Sequence, residues 1–345
     1  MKSSKLATLL TALALSPAFA AETDPVGFVS VTVPANSDAV LSVPLNRAAE
    51  FKGVIQSISG NVITVAGTPA WTADQFVQAL PGQPKTYAVQ IASGAKEGLT
   101  GVATTNGTNT VTITVDNAED LTGVGTVAVP VDPDGAGPLA AQADQVDIMP
   151  YWTPGTLVSG SIAPGTNILL FPTTTPGVNL SAGTILVYTG SGWLNTGNFT
   201  DATNSSLGFA QGFILRNNSA SALSASIVGS VPMAKHRAVV RTFAANTAQD
   251  HWISYSSPVP TPIGQTGLGF TPGDNLLVFD NSALGQNKSA SQILVYTGSG
   301  WLDTNGFANV TATFNLQPGF GYILRKAQTA SAQTFVWQGL QTYLQ

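Results

Sequence analysis

The 345-residue chain contains no cysteine. That excludes disulfide staples and thiolate metal sites. His236 and His251 are its only histidines, so a zinc site built mainly from imidazole is excluded as well. Charge is scarce. Asp, Glu, Lys and Arg make up 9% of the residues, against about 25% in ordinary globular proteins. The net charge is −5. No basic cluster exists that could neutralise several phosphates, which argues against a nucleic-acid partner. Few charges combined with 43% hydrophobic residues is the reverse of a disordered composition. The surface must therefore be covered largely by Thr, Ser, Asn, Gln and Gly. Beyond the N-terminus no apolar run approaches the roughly 20 residues of a spanning helix.

The N-terminus is itself informative. Lys2 and Lys5 precede an apolar stretch from Leu6 to Leu15, and Ala18-Phe19-Ala20 forms a small-x-small site. This layout predicts a secretory signal peptide over residues 1–20, with cleavage after Ala20 or Ala21, and export to the periplasm, cell surface or medium. The 345 − 20 = 325 residues that remain can bury cores in two or three domains without covalent staples.

Strand patterns dominate that remainder. Phe28-Val29-Ser30-Val31-Thr32-Val33 and Val111-Thr112-Ile113-Thr114-Val115 alternate apolar and polar residues, the signature of half-buried strands. Gly60-Asn61 and Asn106-Gly107 sit between such runs and suit hairpin connections. One helix is expected, from Thr72, with Gln75 three residues on, to the Pro81-Gly82 stop.

The chain also repeats itself. Ile185-Leu186-Val187-Tyr188-Thr189-Gly190-Ser191-Gly192-Trp193-Leu194 recurs letter for letter from Ile293 to Leu302, an offset of 293 − 185 = 108. Pro164-Gly165 answers Pro272-Gly273 at the same offset, and Arg216 answers Arg325 at 109. A fainter match aligns Phe28–Asn36 with Ala238–Asn246 at an offset of 210. The fold class expected is all-β: tandem duplicated sandwich- or barrel-like modules with a small β-rich inserted subdomain. A first module spans residues 21–50 plus 149–233, an insertion 51–148, and a second module 234–345. Three β-domains in series is the plain alternative. The unbroken apolar run Ile185–Tyr188 predicts a strand covered on both faces.

Chemistry-bearing residues are few. Asp250 adjoins His251, but neighbours in a strand face opposite ways and cannot form a relay. No metalloprotease, nucleophile-elbow or phosphate-loop motif occurs. Glycoside hydrolysis needs two carboxylates at a set separation. Asp116, Glu119, Asp120, Asp132 and Asp134 all fall in turns, and nothing singles out a pair. Asp132-Pro133-Asp134-Gly135 is a calcium candidate because carboxylates alternate before a glycine. It lacks the further acidic ligands, and Pro133 stiffens it, so a polar turn is the plainer reading. Trp193 and Trp301 follow equivalent turns, where an indole could stack on a sugar; the alternative is that each plugs its core. Arg216 and Arg325 are expected to pair with carbonyls at strand ends.

Several segments carry a family resemblance: Thr23-Asp24-Pro25-Val26-Gly27-Phe28-Val29, Phe51-Lys52-Gly53-Val54-Ile55-Gln56-Ser57, Ala92-Ser93-Gly94-Ala95-Lys96-Glu97-Gly98 and Asn287-Lys288-Ser289-Ala290-Ser291. With Pro34-Ala35-Asn36-Ser37-Asp38 they resemble a family of exported proteins found as many paralogues in verrucomicrobial bacteria. The resemblance implies export and carries over no functional residues. The expectation is an exported, non-catalytic structural or surface protein with no cofactor, associating with envelope proteins or with copies of itself. A carbohydrate-binding protein is the alternative, and an extracellular hydrolase a more distant one.

Overall fold

The computed structural model describes residues 24–77, 86–131, 142–157 and 162–344. The expected signal peptide and the Asp132–Gly135 loop lie outside the described residues. The protein is almost entirely β-structured. Two strands, β1 (Val26–Val33) and β2 (Ser37–Leu41), open it. Six follow: β3 (Phe51–Ser59), β4 (Val62–Val65), β5 (Tyr87–Ile91), β6 (Thr100–Asn106), β7 (Thr110–Thr114) and β8 (Gln145–Pro150). Then come β9 (Asn167–Leu170), β10 (Thr184–Tyr188), β11 (Trp193–Asn195), β12 (Phe213–Asn217) and β13 (Leu223–Ser230). The C-terminal part holds β14 (His236–Arg241), β15 (Gln249–Ile253), β16 (Thr261–Pro262), β17 (Asn275–Val278) and β18 (Gln292–Tyr296). It ends with β19 (Trp301–Asp303), β20 (Asn315–Leu316), β21 (Tyr322–Lys326) and β22 (Thr334–Gly339).

Strands β3 to β8 close into a barrel of order β3-β4-β7-β6-β5-β8, every neighbour antiparallel. Alternation does the sorting: Ile63, Val65, Val111 and Ile113 all point inward and are buried. Gly60 turns the β3–β4 hairpin with φ +58°, a conformation that costs glycine nothing. The expected helix is not formed over its described part: residues 73–77 make turns. Asp74 is left-handed (φ +57°), and its N–H is drawn to the Asn106 carbonyl, which interrupts any helical ladder. Gln75 does reach back to the Thr72 N–H (3.1 Å), and Phe76 fills the barrel end against Trp71 and Tyr87.

β1 and β2 precede the barrel but pair with β13 and β12, which follow it. The resulting five-stranded sheet runs β11-β10-β9-β12-β2, and the β1–β13 ribbon packs on it around Leu186, Trp193, Leu215 and Ile227. A second five-stranded sheet has the same succession, β19-β18-β17-β21-β15, with β14–β22 as its ribbon and Leu294, Trp301, Leu324 and Trp337 as its core. The faint sequence match holds at its end, where Asn36 and Asn246 (246 − 36 = 210) are both left-handed and donate to the equivalent Ser219 and Thr329 carbonyls, but it shifts by one residue within the strands. Val29 and Val31 face the first core, and Ala238 and Val240 the second, an offset of 238 − 29 = 209 rather than 210. The run Ile185–Tyr188 is not covered on both faces. Leu186 is buried, whereas Ile185 and Val187 remain half-exposed, because no second layer among the described residues covers the outside of the sheet near its β11 edge.

The inner edges of the two sheets, β2 and β15, are shared between the two halves. Gly321 N–H bonds the Val40 carbonyl (3.1 Å), and Gly212 N–H bonds the Trp252 carbonyl (3.2 Å). Each exposed ladder edge is thereby occupied by the other half.

Candidate functional site

The scarce charges are concentrated where modules meet. Arg216 holds Asp38 with two hydrogen bonds (Nε–Oδ1 2.7 Å, Nη2–Oδ2 2.8 Å) and donates to Asn287 Oδ1 (2.7 Å) in the β17–β18 loop of the other half. Arg325 holds Asp250 in the same way and donates to Asn179 Oδ1 (2.7 Å). Asn287 N–H returns to Asp38 (2.7 Å), and Asn179 N–H to Asp250 (2.8 Å). Both asparagines are left-handed, with φ +51° and +53°. The two arginines thus pair with carboxylates, not carbonyls: each sits opposite its aspartate in the ladder, close enough for a bidentate fork. Charge-assisted bonds also tie the barrel to the second sheet. Arg237 holds Glu119 (Nε–Oε1 2.7 Å, Nη2–Oε2 3.0 Å), and Arg241 binds Asp116 and Asn117.

Between these ties lies a cleft of about 320 Å³ with walls from all three modules, within the range of roughly 300–1,000 Å³ usual for small-molecule sites. Its aromatic lining comprises Trp252 stacked on Phe171 (centroids 3.7 Å apart) and Tyr151 edge-on to Phe209 (5.0 Å). Asp116, Glu119, Arg237 and Arg241 also line it, two charges of each sign. Both carboxylates are held by arginines, which suits fastening modules better than exchanging protons with a bound molecule. Asp250 and His251 point apart: the acid binds Arg325, and His251 Nε2 meets the Arg241 carbonyl at 2.5 Å.

A smaller cavity of about 20 Å³ adjoins the cleft, sharing Thr100, Phe209, Ala210 and Arg237 as lining. Three of its lining residues each keep a buried polar atom without a hydrogen-bond partner: Arg237 Nη1, His236 Nε2 and Gln341 Oε1. Burial pushes the His236 pKa down to about 3, so its ring is neutral. Ser256 N–H donates to its Nδ1 (3.4 Å), leaving the ring hydrogen on Nε2.

The two tryptophans singled out in sequence lie elsewhere, whereas Asp116, Glu119 and His251 line the cleft. Trp193 and Trp301 are each 1% exposed, plugging the two cores. Their backbone N–H groups are held by Thr203 and Thr311 hydroxyls at 3.0 and 2.8 Å. Neither indole presents a face to a sugar, because the turn before it folds the ring inward rather than outward. Asp132 and Asp134 lie outside the described residues, and no group of three or more His, Asp or Glu able to hold a metal occurs among the described ones. Trp252, which no motif announced, is the one tryptophan of six not buried. A signal did exist: ladder position for ladder position Trp252 corresponds to Val40, so it breaks the likeness between copies.

Two further aromatic residues stand out at the surface. Phe199 and Phe307, at the repeat offset of 307 − 199 = 108, are 77% and 72% exposed. Both have φ +55°, a genuine outlier for a bulky side chain.

Compared with protein-family models, with curated proteins and with solved structures, the chain gives no match.

Proposed function

We propose that this is an exported, non-catalytic structural protein of the cell envelope or matrix that works by associating with copies of itself. The observation that carries this reading is the duplicated Phe199 and Phe307. Each holds a large aromatic ring in water and a left-handed backbone, a conformation costing about 1–3 kcal/mol, and neither packs a core. An exposed, strained aromatic residue kept at both repeat positions is accounted for by contact with a partner. A second copy is the fitting partner. The low charge of the chain leaves little repulsion between copies, and one chain presents the contact twice, as a growing assembly needs. The arginine–carboxylate ties support a stiff building block. The signal-like N-terminus and the resemblance to exported paralogues support export.

The absence of cysteine makes the test clean. Thr200→Cys combined with Ala308→Cys places thiols beside the two phenylalanines. Mild oxidation of intact cells is expected to give disulfide-linked multimers of the surface-exposed protein. A chain that stays monomeric, or is found in the cytoplasm, overturns the reading.

A further inference from the structure

We propose that the outer face of the β1–β13 ribbon, with the groove beside it, is the surface on which one copy seats Phe199 or Phe307 of the next. The inference rests on the self-association reading and adds the receiving half of the contact.

The repeat singles out this face. Strand β14 is the counterpart of β1, and its outward residues hold the barrel. Arg237 grips Glu119 and Arg241 grips Asp116, while Lys235, just before the strand, pairs with Glu97. At the offset that aligns the two cores, 237 − 28 = 209, the corresponding residues of the first module are Val26, Phe28 and Thr32. The chain has one barrel and two such faces, and among the described residues nothing covers the second. Val26 is 71% and Phe28 75% exposed, and Val228, opposite Phe28 in the ladder, is 55% exposed. An apolar patch left in water, where the other half buries a neighbour, is accounted for by contact with a partner.

Toward Thr32 the face opens into a groove of about 380 Å³ lined by Ser30, Thr32, Pro34, Asn281, Ser282 and Phe320. This groove is the counterpart of the cleft where the modules meet: Asn281, Ser282 and Phe320 answer Thr173, Thr174 and Gln211. In the cleft the barrel adds a further wall with Asp116 and Glu119, which the groove lacks. Asn281 accepts from the Val40 N–H (2.7 Å) and donates to the Val40 carbonyl (2.9 Å), so that side of the groove is fixed before anything binds.

Charge selects the occupant. The cations that hold acidic groups of the barrel have no counterpart here, and the residues of face and groove are all uncharged. A neutral aromatic projection suits such a surface. The chain carries two, Phe199 and Phe307, flanked by Asn198, Thr200, Gly306 and Ala308. Projection and groove lie on different parts of the chain, so the contact is heterologous and leaves a free face and free projections for further growth.

Sedimentation velocity of two variants of residues 21–345, alone and mixed, tests the proposal. Phe28→Thr with Val228→Thr alters the face, and Phe199→Ser with Phe307→Ser removes the projections. All four side chains are exposed, so neither change opens a core. Each variant alone is expected to associate about tenfold or more weakly than the natural chain. Their equimolar mixture should form a hetero-complex, since each supplies what the other lacks. Thr32→Glu, at the groove, should behave as the face variant does, which keeps the test decisive if that variant misfolds. Near-ultraviolet circular dichroism monitors folding. A natural chain that stays monomeric overturns self-association and this inference with it. A natural chain that assembles, with face variants that assemble equally well or a mixture that forms no hetero-complex, overturns this inference alone.

Discussion

Lys326 and Asp274 form an ion pair from which water is wholly excluded, both side chains being 0% exposed. The ammonium meets Asp274 Oδ2 at 2.5 Å and Thr271 Oγ1 at 3.2 Å, and lies over the rings of Phe335 and Phe270. Burial pulls the Lys326 pKa down, and the hydrogen bond to Asp274 opposes it. At the corresponding positions of the first module stand Thr166 and Asn217, also buried. There Asn217 Nδ2 serves three backbone carbonyls. The same framework thus closes with a charged pair in one module and with two neutral side chains bonded to backbone carbonyls in the other. Lys326→Met is expected to cost about 3–5 kcal/mol, because it strands a buried carboxylate. Adding Asp274→Thr to Lys326→Asn, the first module's solution, should recover most of that loss in urea unfolding. A double variant as unstable as Lys326→Met would show that the pair, not the stranded charge, is what matters. None of this was legible in the sequence, where Asp274 and Lys326 stand 52 residues apart and look like two ordinary surface charges.

Among the elements, strand type was legible and strand coverage was not. Alternation in Val111–Val115 marked the inward face of β7 because one side of that strand meets the core and the other water. The uniform run Ile185–Tyr188 could not reveal that only one of its faces is covered, since apolar residues give no contrast between faces. Over its described part the helix expected from Thr72 is broken at Asp74, whose backbone bond to Asn106 is a long-range contact. Edge pairing between the modules depends on glycine. A Cβ on Gly321 would come within 2.6 Å of the Leu41 carbonyl oxygen and 3.2 Å of Gly212 Cα. Neither is a flexible group that could move aside. Gly321→Ala is therefore expected to pry the β2 edge from the second sheet while leaving each core intact. Hydrogen exchange should show faster exchange at Gly321 and Ser42, whose N–H groups bond across the junction, with barrel amides unchanged. Unaltered protection at both amides would mean that the junction tolerates the methyl group.

At the scale of the whole molecule, three large cores are joined by charge-assisted bonds from Arg216, Arg325, Arg237 and Arg241 and by a small apolar cluster around Met149 and Tyr151. The all-β class could be read from the sequence directly. The carbohydrate candidates could not be placed, because Trp193 and Trp301 were conspicuous through repetition, and repetition here tracks packing. The informative residues were the ones that depart from the repeat, such as Trp252, or that repeat while exposed, as Phe199 and Phe307 do. Those two phenylalanines are the residues through which copies are proposed to associate. Sedimentation velocity of residues 21–345 over a concentration series, beside Phe199→Ser with Phe307→Ser, is the decisive measurement. The sedimentation coefficient is expected to climb with concentration for the natural chain and to stay at the monomer value for the double variant. A natural chain that remains monomeric at every concentration, or a variant that assembles equally well, would contradict it.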